Sequence, residues 1–373
     1  MIQLVDLLQE MVERGSSDLF LKAGSPPYIR IDGQIVPMDF GDLTPPDTEA
    51  FAQSMMNESQ WEAFAQTPEL DLAVGISGIG RFRVNCFKQR GSIGIVLRHI
   101  SNPDFSFDEL NLPPTVQSLS ERLRGLTLVT GMTGAGKSTT LAAMINHINE
   151  TRKCHIVTIE DPIEFLHHDK TAIVNQREVG FDTMNFHDAL KHVLRQSPDV
   201  ILIGEMRDLE TIQTGISAAE TGHSVFSTLH TTDAVQTIER VIYYFPAYLH
   251  NQIRMELSLC LNGVISQRLL PRKNGKGRVP AIEIMVATPT IKKLLLDGKT
   301  SDLYEHIQQG EYYGMQTFNQ SLLKLINAGL IEYKIALGFA TSPEELRLAY
   351  EGLATGSQNA MAGAGVLSTG TGY

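Results

Sequence analysis

Eight residues, Gly131-Met-Thr-Gly-Ala-Gly-Lys137-Ser138, fit the spacing G-x-x-x-x-G-K-[ST]. Glycines at these positions let successive backbone N–H groups curl around phosphate oxygens, and the helix that follows turns its positive end toward them. The context agrees: an apolar run at 126–130 precedes the loop and a helix-forming stretch at 140–149 follows it. The backbone of Gly131, Thr133, Gly134, Ala135 and Gly136, with Thr139 beyond, would cradle a nucleotide's phosphates. Lys137 would neutralise the β- and γ-phosphates, and the Ser138 hydroxyl would ligate Mg²⁺. ATP and Mg²⁺ are therefore the expected ligands.

Two groups of acids can complete such a site. In Asp199-Val-Ile-Leu-Ile-Gly-Glu205 an apolar strand ends on a carboxylate. Ligands of parallel sheets sit at the carboxyl ends of strands. Asp199 lies about 20 Å away along the strand, so Glu205 has the metal-facing place, reaching Mg²⁺ through a water. A plain ion pair with Arg207 is the competing role for Glu205. The second group is Glu160-Asp161-Pro162-Ile163-Glu164, after an apolar run at 156–159. Three acids in five residues repel one another unless a metal or cation is near. One of them is suited to orient and deprotonate an attacking water, and spacing alone leaves both Glu160 and Glu164 open.

His223 and His230 flank the run 224–229, where a neutral imidazole can hydrogen-bond a γ-phosphate and report its loss. Arg81, Arg83, Lys88, Arg90 and Arg98 concentrate positive charge in an acidic protein. Alternation puts Arg81 and Arg83 on one strand face, with Phe82 and Val84 on the other. Arginines apart from the phosphate loop suggest fingers supplied to a neighbouring subunit's γ-phosphate. A solvated strand face or a nucleic-acid groove would explain them otherwise, but no aromatic platform interleaves with them.

These residues need a framework to hold them. The chain has 373 residues, more than one ordinary core, with 42% hydrophobic and 20% charged residues. Thirty-one basic against 42 acidic residues leave a formal charge of −11, which argues against a general nucleic-acid or anionic-membrane binder. Cys86, Cys154 and Cys260 lie far apart and suggest neither a disulfide framework nor a zinc site. With no apolar run of membrane-spanning length and no signal-like start, a cytoplasmic chain is expected.

Residues 1–100 read as a small α+β domain: a helix over 2–14 stopped by Gly15, strands at 18–22, 28–31 and 34–38, and two longer strands at 80–90 and 92–100. The second and third strands are joined by Asp32-Gly33, and a helix follows Thr44-Pro45-Pro46. A linker with a short helix is expected over 101–120. From 121 to 354 short apolar runs at 126–130, 156–159, 200–203 and 225–229 alternate with helices, the pattern of a buried parallel sheet, and the pattern is mainly helical after Thr288. The Gly/Ala/Ser/Thr-rich tail, 355–373, has no charged residue and is expected to be disordered.

Together the motifs resemble the PilT/PilU-type retraction ATPases of type IV pili, within the secretion ATPase superfamily. The carrying segments are Gly15-Ser-Ser-Asp-Leu19, Gly80-Arg-Phe-Arg-Val84, the phosphate loop, Thr158-Ile-Glu-Asp-Pro-Ile-Glu164, Ile203-Gly-Glu-Met-Arg-Asp208, Thr221-Gly-His223 and Thr228-Leu-His-Thr231. The resemblance covers residues 1–350. It implies an N-terminal PAS-like domain, a C-terminal RecA-like ATPase domain, a homo-hexameric ring, and ATP bound between the domains. It selects Glu164 as the catalytic acid, keeps Glu205 and His230 in their roles, and points to Arg83 and Arg98, with Arg81 after them, as the arginines. It further implies pilin disassembly through an inner-membrane platform protein, and peripheral attachment to that membrane through the pilus machine.

Two segments depart from the family's pattern. Thr290-Ile-Lys-Lys-Leu-Leu-Leu-Asp297 stands where PilT-type motors carry a segment close to Ala-Ile-Arg-Asn-Leu-Ile-Arg-Glu, and Gly314-Met-Gln-Thr-Phe318 is similar to PilU-type paralogues. A main motor and an accessory ATPase working with a sister motor both fit. The chain lacks the tetracysteine motif of many extension and secretion ATPases, which favours retraction over assembly.

Overall fold

A computed structural model of the chain describes residues 2–31, 33–102 and 105–352. Asp32 of the expected hairpin dipeptide and the expected disordered tail lie outside the described residues. The chain divides into two compact units: the first runs to Asn102 and includes Glu164–Leu166, and the second holds the rest.

The first unit opens with the helix Leu4–Glu13. Leu4, Leu7, Leu8 and Met11 recur at helical spacing and form its buried stripe. Gly15 follows at φ 63°, a left-handed position that suits glycine. Six strands then make an antiparallel sheet: β1 (Asp18–Lys22), β2 (Tyr28–Ile31), β3 (Gln34–Pro37), β4 (Glu69–Ile76), β5 (Gly80–Gln89) and β6 (Ser92–Ile100), in the order β3-β2-β1-β6-β5-β4. Alternation on β5 turns Phe82, Val84 and Cys86 into a core shared with Leu7, Leu8, Phe51 and Phe64. Arg81 and Arg83 alternate with them toward the other face, and register pairs Arg83 with Arg98. The helix Pro45–Met55 starts on a reciprocal cap between Thr44 and Asp47, and Glu58–Gln66 on one between Asn57 and Gln60.

The second unit is built on seven strands: β7 (Gly125–Thr130), β8 (His155–Glu160), β9 (Ile173–Glu178), β10 (Val200–Ile203), β11 (Ser224–Leu229), β12 (Leu261–Pro271) and β13 (Arg278–Val286). Their order is β13-β12-β7-β11-β10-β8-β9, parallel from β12 to β9, with β13 antiparallel to β12. Every residue of β7, β10 and β11 is buried, because helices cover both faces. Val200 and Leu202 join one core with the helix Lys137–Thr151, while Ile201 and Ile203 join the other with Leu209–Glu220 and Ala234–Tyr243. From the stretch expected as a linker, Leu112, Val116 and Leu119 are buried in the first of these cores. Truncating a residue such as Ile201 to alanine would cost about 2–5 kcal/mol.

This is the mixed α/β architecture expected from the sequence. Its consequence for function is positional. Register aligns Thr130 with Leu229, and Ile203 with both Ser227 and Ile159. The chain therefore leaves four neighbouring parallel strands at one edge of the sheet.

Candidate nucleotide site

At that edge β7 runs into the phosphate loop. Gly131 has φ 145°, and a Cβ there would lie 2.6 Å from the Gln267 carbonyl oxygen of β12 and 2.9 Å from the Ala135 Cβ. The bare backbone is what lets the loop cross so close to the next strand. Gly134 and Gly136 also hold left-handed conformations, at φ 79° and 89°, and Gly136 is the N-cap of the helix Lys137–Thr151. Met132, Thr133 and Gly134 are exposed, Ala135 is buried, and Lys137, Ser138 and Thr139 are half-buried at the first turn. The Lys137 ammonium folds back over the loop, donating to the carbonyls of Gly131 at 2.8 Å and Met132 at 3.3 Å.

A buried polar lattice holds the loop from below. Thr130 donates to Ser266 of β12 at 2.9 Å, directly across the register, and Gln267 donates to Thr140 at 2.8 Å. Thr231 and Thr237 share a hydrogen bond of 2.6 Å beside them. Ser266, Gln267 and Thr237 were not singled out in the sequence. The first two bonds join residues 136 and 127 positions apart, which the pairing of β12 with β7 brings together.

The strand β10 delivers Glu205 at the same edge. Its turn is tied to both neighbours: Gly204 N–H donates to Ile159 O at 2.7 Å, Met206 N–H to Thr228 O at 3.1 Å, and the Thr228 hydroxyl to Gly204 O at 2.7 Å. The Glu205 carboxylate is mostly buried. It faces Arg207 Nε at 2.8 Å on one oxygen and His230 Nε2 at 3.3 Å on the other. The ion pair with Arg207 therefore forms, and it forms beside His230. Arg207 also reaches Asp161 at 3.8 Å, so a cation does stand among the acids of that loop. Asp199, at the opposite end of β10, accepts the backbone N–H of His155 at 2.8 Å.

The two histidines part company. His223 precedes β11 at the far edge, where its Nδ1 lies 2.9 Å from the Ala218 carbonyl and 3.3 Å from the Thr221 hydroxyl. It closes the preceding helix, at the opposite end of β11 from the phosphate loop. His230 leaves β11 at the site edge and looks onto a cavity of about 630 Å³. Behind it, Glu283 on β13 accepts the Ala234 N–H at 2.8 Å. Burial pushes the Glu283 carboxyl up to about 7, against the opposing pull of its hydrogen bonds and of Arg268.

The two candidate bases differ as well. Glu160 accepts from Thr158 at 2.7 Å and Gln176 at 3.1 Å, so its carboxylate is bound into the end of β8. Glu164 is exposed.

In the first unit, Asp18 is almost fully buried under two arginines. Arg98 Nε lies 2.8 Å from one of its oxygens, and the other takes Arg30 Nε at 3.2 Å and the Ser17 hydroxyl at 2.8 Å. The Ser-Ser-Asp segment therefore aims an arginine whose side chain remains 65% exposed.

The fold that holds this site is shared with known proteins. The family described as type II/IV secretion system protein matches residues 3–329. The type IV pilus retraction ATPase PilT of Pseudomonas aeruginosa is 46% identical over 92% of the chain and 99% of its own length. The type IV pilus ATPase PilU of the same organism is 45% identical over 92% and 90%. The crystal structure of the pilus retraction motor PilT with bound ADP covers 93% of the chain and 99% of its own, at 46% identity and a TM-score of 0.85. The chain belongs to the type II/IV secretion system protein family and, within it, groups with the type IV pilus ATPases PilT and PilU.

Proposed function

We propose that the chain is a ring-forming motor that hydrolyses ATP to ADP and phosphate and uses the energy to retract type IV pili. The observation carrying this reading is the convergence of the phosphate loop, Glu205 and His230 on one sheet edge, in a chain that superposes on PilT with bound ADP.

The loop backbone, with Lys137, would bind and orient the triphosphate. Glu164 would take the proton of the attacking water, because Glu160 is already bound by two donors whereas Glu164 is exposed. His230, beside Glu205, would hydrogen-bond the terminal phosphate. The Ser138 hydroxyl and the Glu205 carboxylate are the hard oxygen donors that suit Mg²⁺. Among the described residues no cluster of three or more His, Cys, Asp or Glu forms a protein-only cage. That fits an ion held by one or two protein oxygens together with phosphates and waters. When bound, Mg²⁺ neutralises phosphate charge.

Arg83, Arg98 and Arg81 would complete the site of a neighbouring subunit in a homo-hexamer. No helix among the described residues is long and apolar enough to cross a membrane, so attachment would run through an inner-membrane platform protein. A second reading, an accessory ATPase beside a sister motor, is favoured by the nearly equal similarity to PilU.

The test is ATP turnover of the purified protein across a concentration series, with Glu164→Gln alongside. Specific activity rising with concentration and a loss of about 10²–10⁴-fold on substitution are expected. Flat activity would remove the arginines supplied from a neighbour, and a Glu164→Gln protein at the parent rate would remove the base. Turnover that appears only with a sister motor would favour the accessory role.

A further inference from the structure

The segment carrying Glu164 leaves the sheet at Glu160, the last residue of β8, and is tied back to the strand β9 through the backbone of His167. Gln176 sits on the neighbouring strand β9, in register with Thr158. Its side-chain amide spans both ends of the segment: Nε2 donates to Glu160 Oε1 at 3.1 Å, and Oε1 accepts the backbone N–H of His167 at 2.8 Å. A backbone N–H can only donate and an ionised carboxylate can only accept, so one orientation of the amide satisfies both partners. Thr158 adds a second bond to the same Glu160 oxygen at 2.7 Å. His167 is itself buried, and burial pulls its imidazole down to about 4. The returning end is therefore a fixed, uncharged anchor. Between the two ends only Ile163 is fully buried, while Asp161 and Glu164 are exposed.

We propose that Gln176 is a positioning residue for the hydrolysis, clamping residues 160 and 167 together so that the two ends of the segment carrying Glu164 are held at a fixed separation. The inference rests on the reading of Glu164 as the base. No other side-chain type of this length offers an N–H and a neutral carbonyl oxygen together. Leucine offers neither, and glutamate offers the acceptor but sets a second negative charge against Glu160.

The test compares the full-length parent with Gln176→Leu, Gln176→Glu, Glu164→Gln and the double variant Gln176→Leu/Glu164→Gln. The measurements are kcat and KM for ATP, binding of a fluorescent ATP analogue, and thermal melting. A base displaced by about 1 Å loses roughly 100-fold in rate. Gln176→Leu is therefore expected to lower kcat by about 10- to 100-fold, with KM and analogue affinity within about twofold of the parent. In the Glu164→Gln background the same change should lower the residual rate by less than about twofold, because the base it positions is gone. Gln176→Glu should regain activity as the pH is lowered from 8 to 6, since a proton shared with Glu160 restores a donor, whereas Gln176→Leu should not.

Parent-level kcat in Gln176→Leu would overturn the proposal, as would a loss multiplying in full onto Glu164→Gln. If Gln176→Leu does not fold, the pH response of Gln176→Glu decides, and an unchanged ratio to the parent across that range counts against the clamp. A Glu164→Gln protein at the parent rate sinks the reading of the base. An inactive Glu164→Gln beside a fully active Gln176→Leu sinks only the clamp.

Discussion

Gly131→Ala and Gly134→Ala separate two things a glycine does in a phosphate loop. Both residues have positive φ, so alanine carries a backbone cost at either, about 1–2 kcal/mol. Only at Gly131 does the new methyl also meet neighbours, with 2.6 Å to the Gln267 carbonyl and 2.9 Å to the Ala135 Cβ, while Gly134 has nothing within 4 Å. Ordinary contact begins near 3.4 Å, and the Gln267 oxygen belongs to a strand paired on both sides. The loop must therefore give way by about 3.4 − 2.6 = 0.8 Å, and it carries the Gly131 carbonyl that receives Lys137. A displacement near 1 Å at a positioning element costs about 10²-fold in rate. Gly131→Ala is expected to lose about that much kcat/KM and to bind a fluorescent ATP analogue at least tenfold more weakly, whereas Gly134→Ala should stay within about tenfold in rate, the equivalent of 1.4 kcal/mol. Stopped-flow binding with steady-state phosphate release measures both. Equal losses in the two variants would show that loop strain alone sets the effect, and the steric argument would be wrong.

Asp18→Asn leaves two guanidinium groups around a neutral amide, and charge-assisted bonds contribute about 1.5–3 kcal/mol each. Calorimetry should show the first unit destabilised by about 2–3 kcal/mol, and turnover should fall at every protein concentration, with activity intact if Arg98 needs no aiming. Glu283 and His167 should tilt stability in opposite directions with pH. The Glu283 carboxyl is raised from 4.5 to about 7, so its favourable protonated form is present below 4.5 and is lost as pH rises toward 7. Glu283→Gln should gain about 3 kcal/mol relative to the parent across that rise, seen in denaturant midpoints at pH 5 and 8. The His167 imidazole is lowered from 6.5 to about 4, so the stability of its neutral form is present above 6.5 and is lost as pH falls toward 4. His167→Asn should flatten the acid side of the same profile, and an unchanged acid limb would refute the assignment.

The fold was legible where apolar periodicity and turn chemistry agree. The helix over 4–13, the hairpin of β5 and β6, and the buried strands β7, β10 and β11 all carry that double signal. Four strands are not among those expected from the sequence, and three of them lack that signal. β9, Ile173-Val-Asn-Gln-Arg-Glu178, is a mostly polar edge strand in which only Glu178 is fully buried. β12 begins at Leu261, directly after a helix that ends at Cys260, with no turn residue between them. β13 pairs with β12 through a long register, and β12 is held between β13 and β7, so pairing with other strands sets their place. β4 does carry it, with Leu70, Leu72, Val74 and Ile76 alternating ahead of Ser77-Gly78, and it lies half-exposed against β5.

The site divides along the same line. Groups that leave a strand end could be placed from sequence, because direction along a parallel strand fixes which end faces the ligand. That separates Glu205 from Asp199 and, once the strand is seen, His230 from His223. Groups that act sideways, across the sheet, could not be placed. Ser266 under Thr130, Gln267 against Thr140 and Gln176 between Glu160 and His167 each depend on a register that no single segment encodes. Phosphate chemistry demands particular side chains at particular spacings, so it leaves a motif. Holding those side chains to within an ångström demands only a donor and an acceptor at the right height on the next strand. Serine, threonine and glutamine meet that demand from anywhere in the chain, so a motif search passes over them.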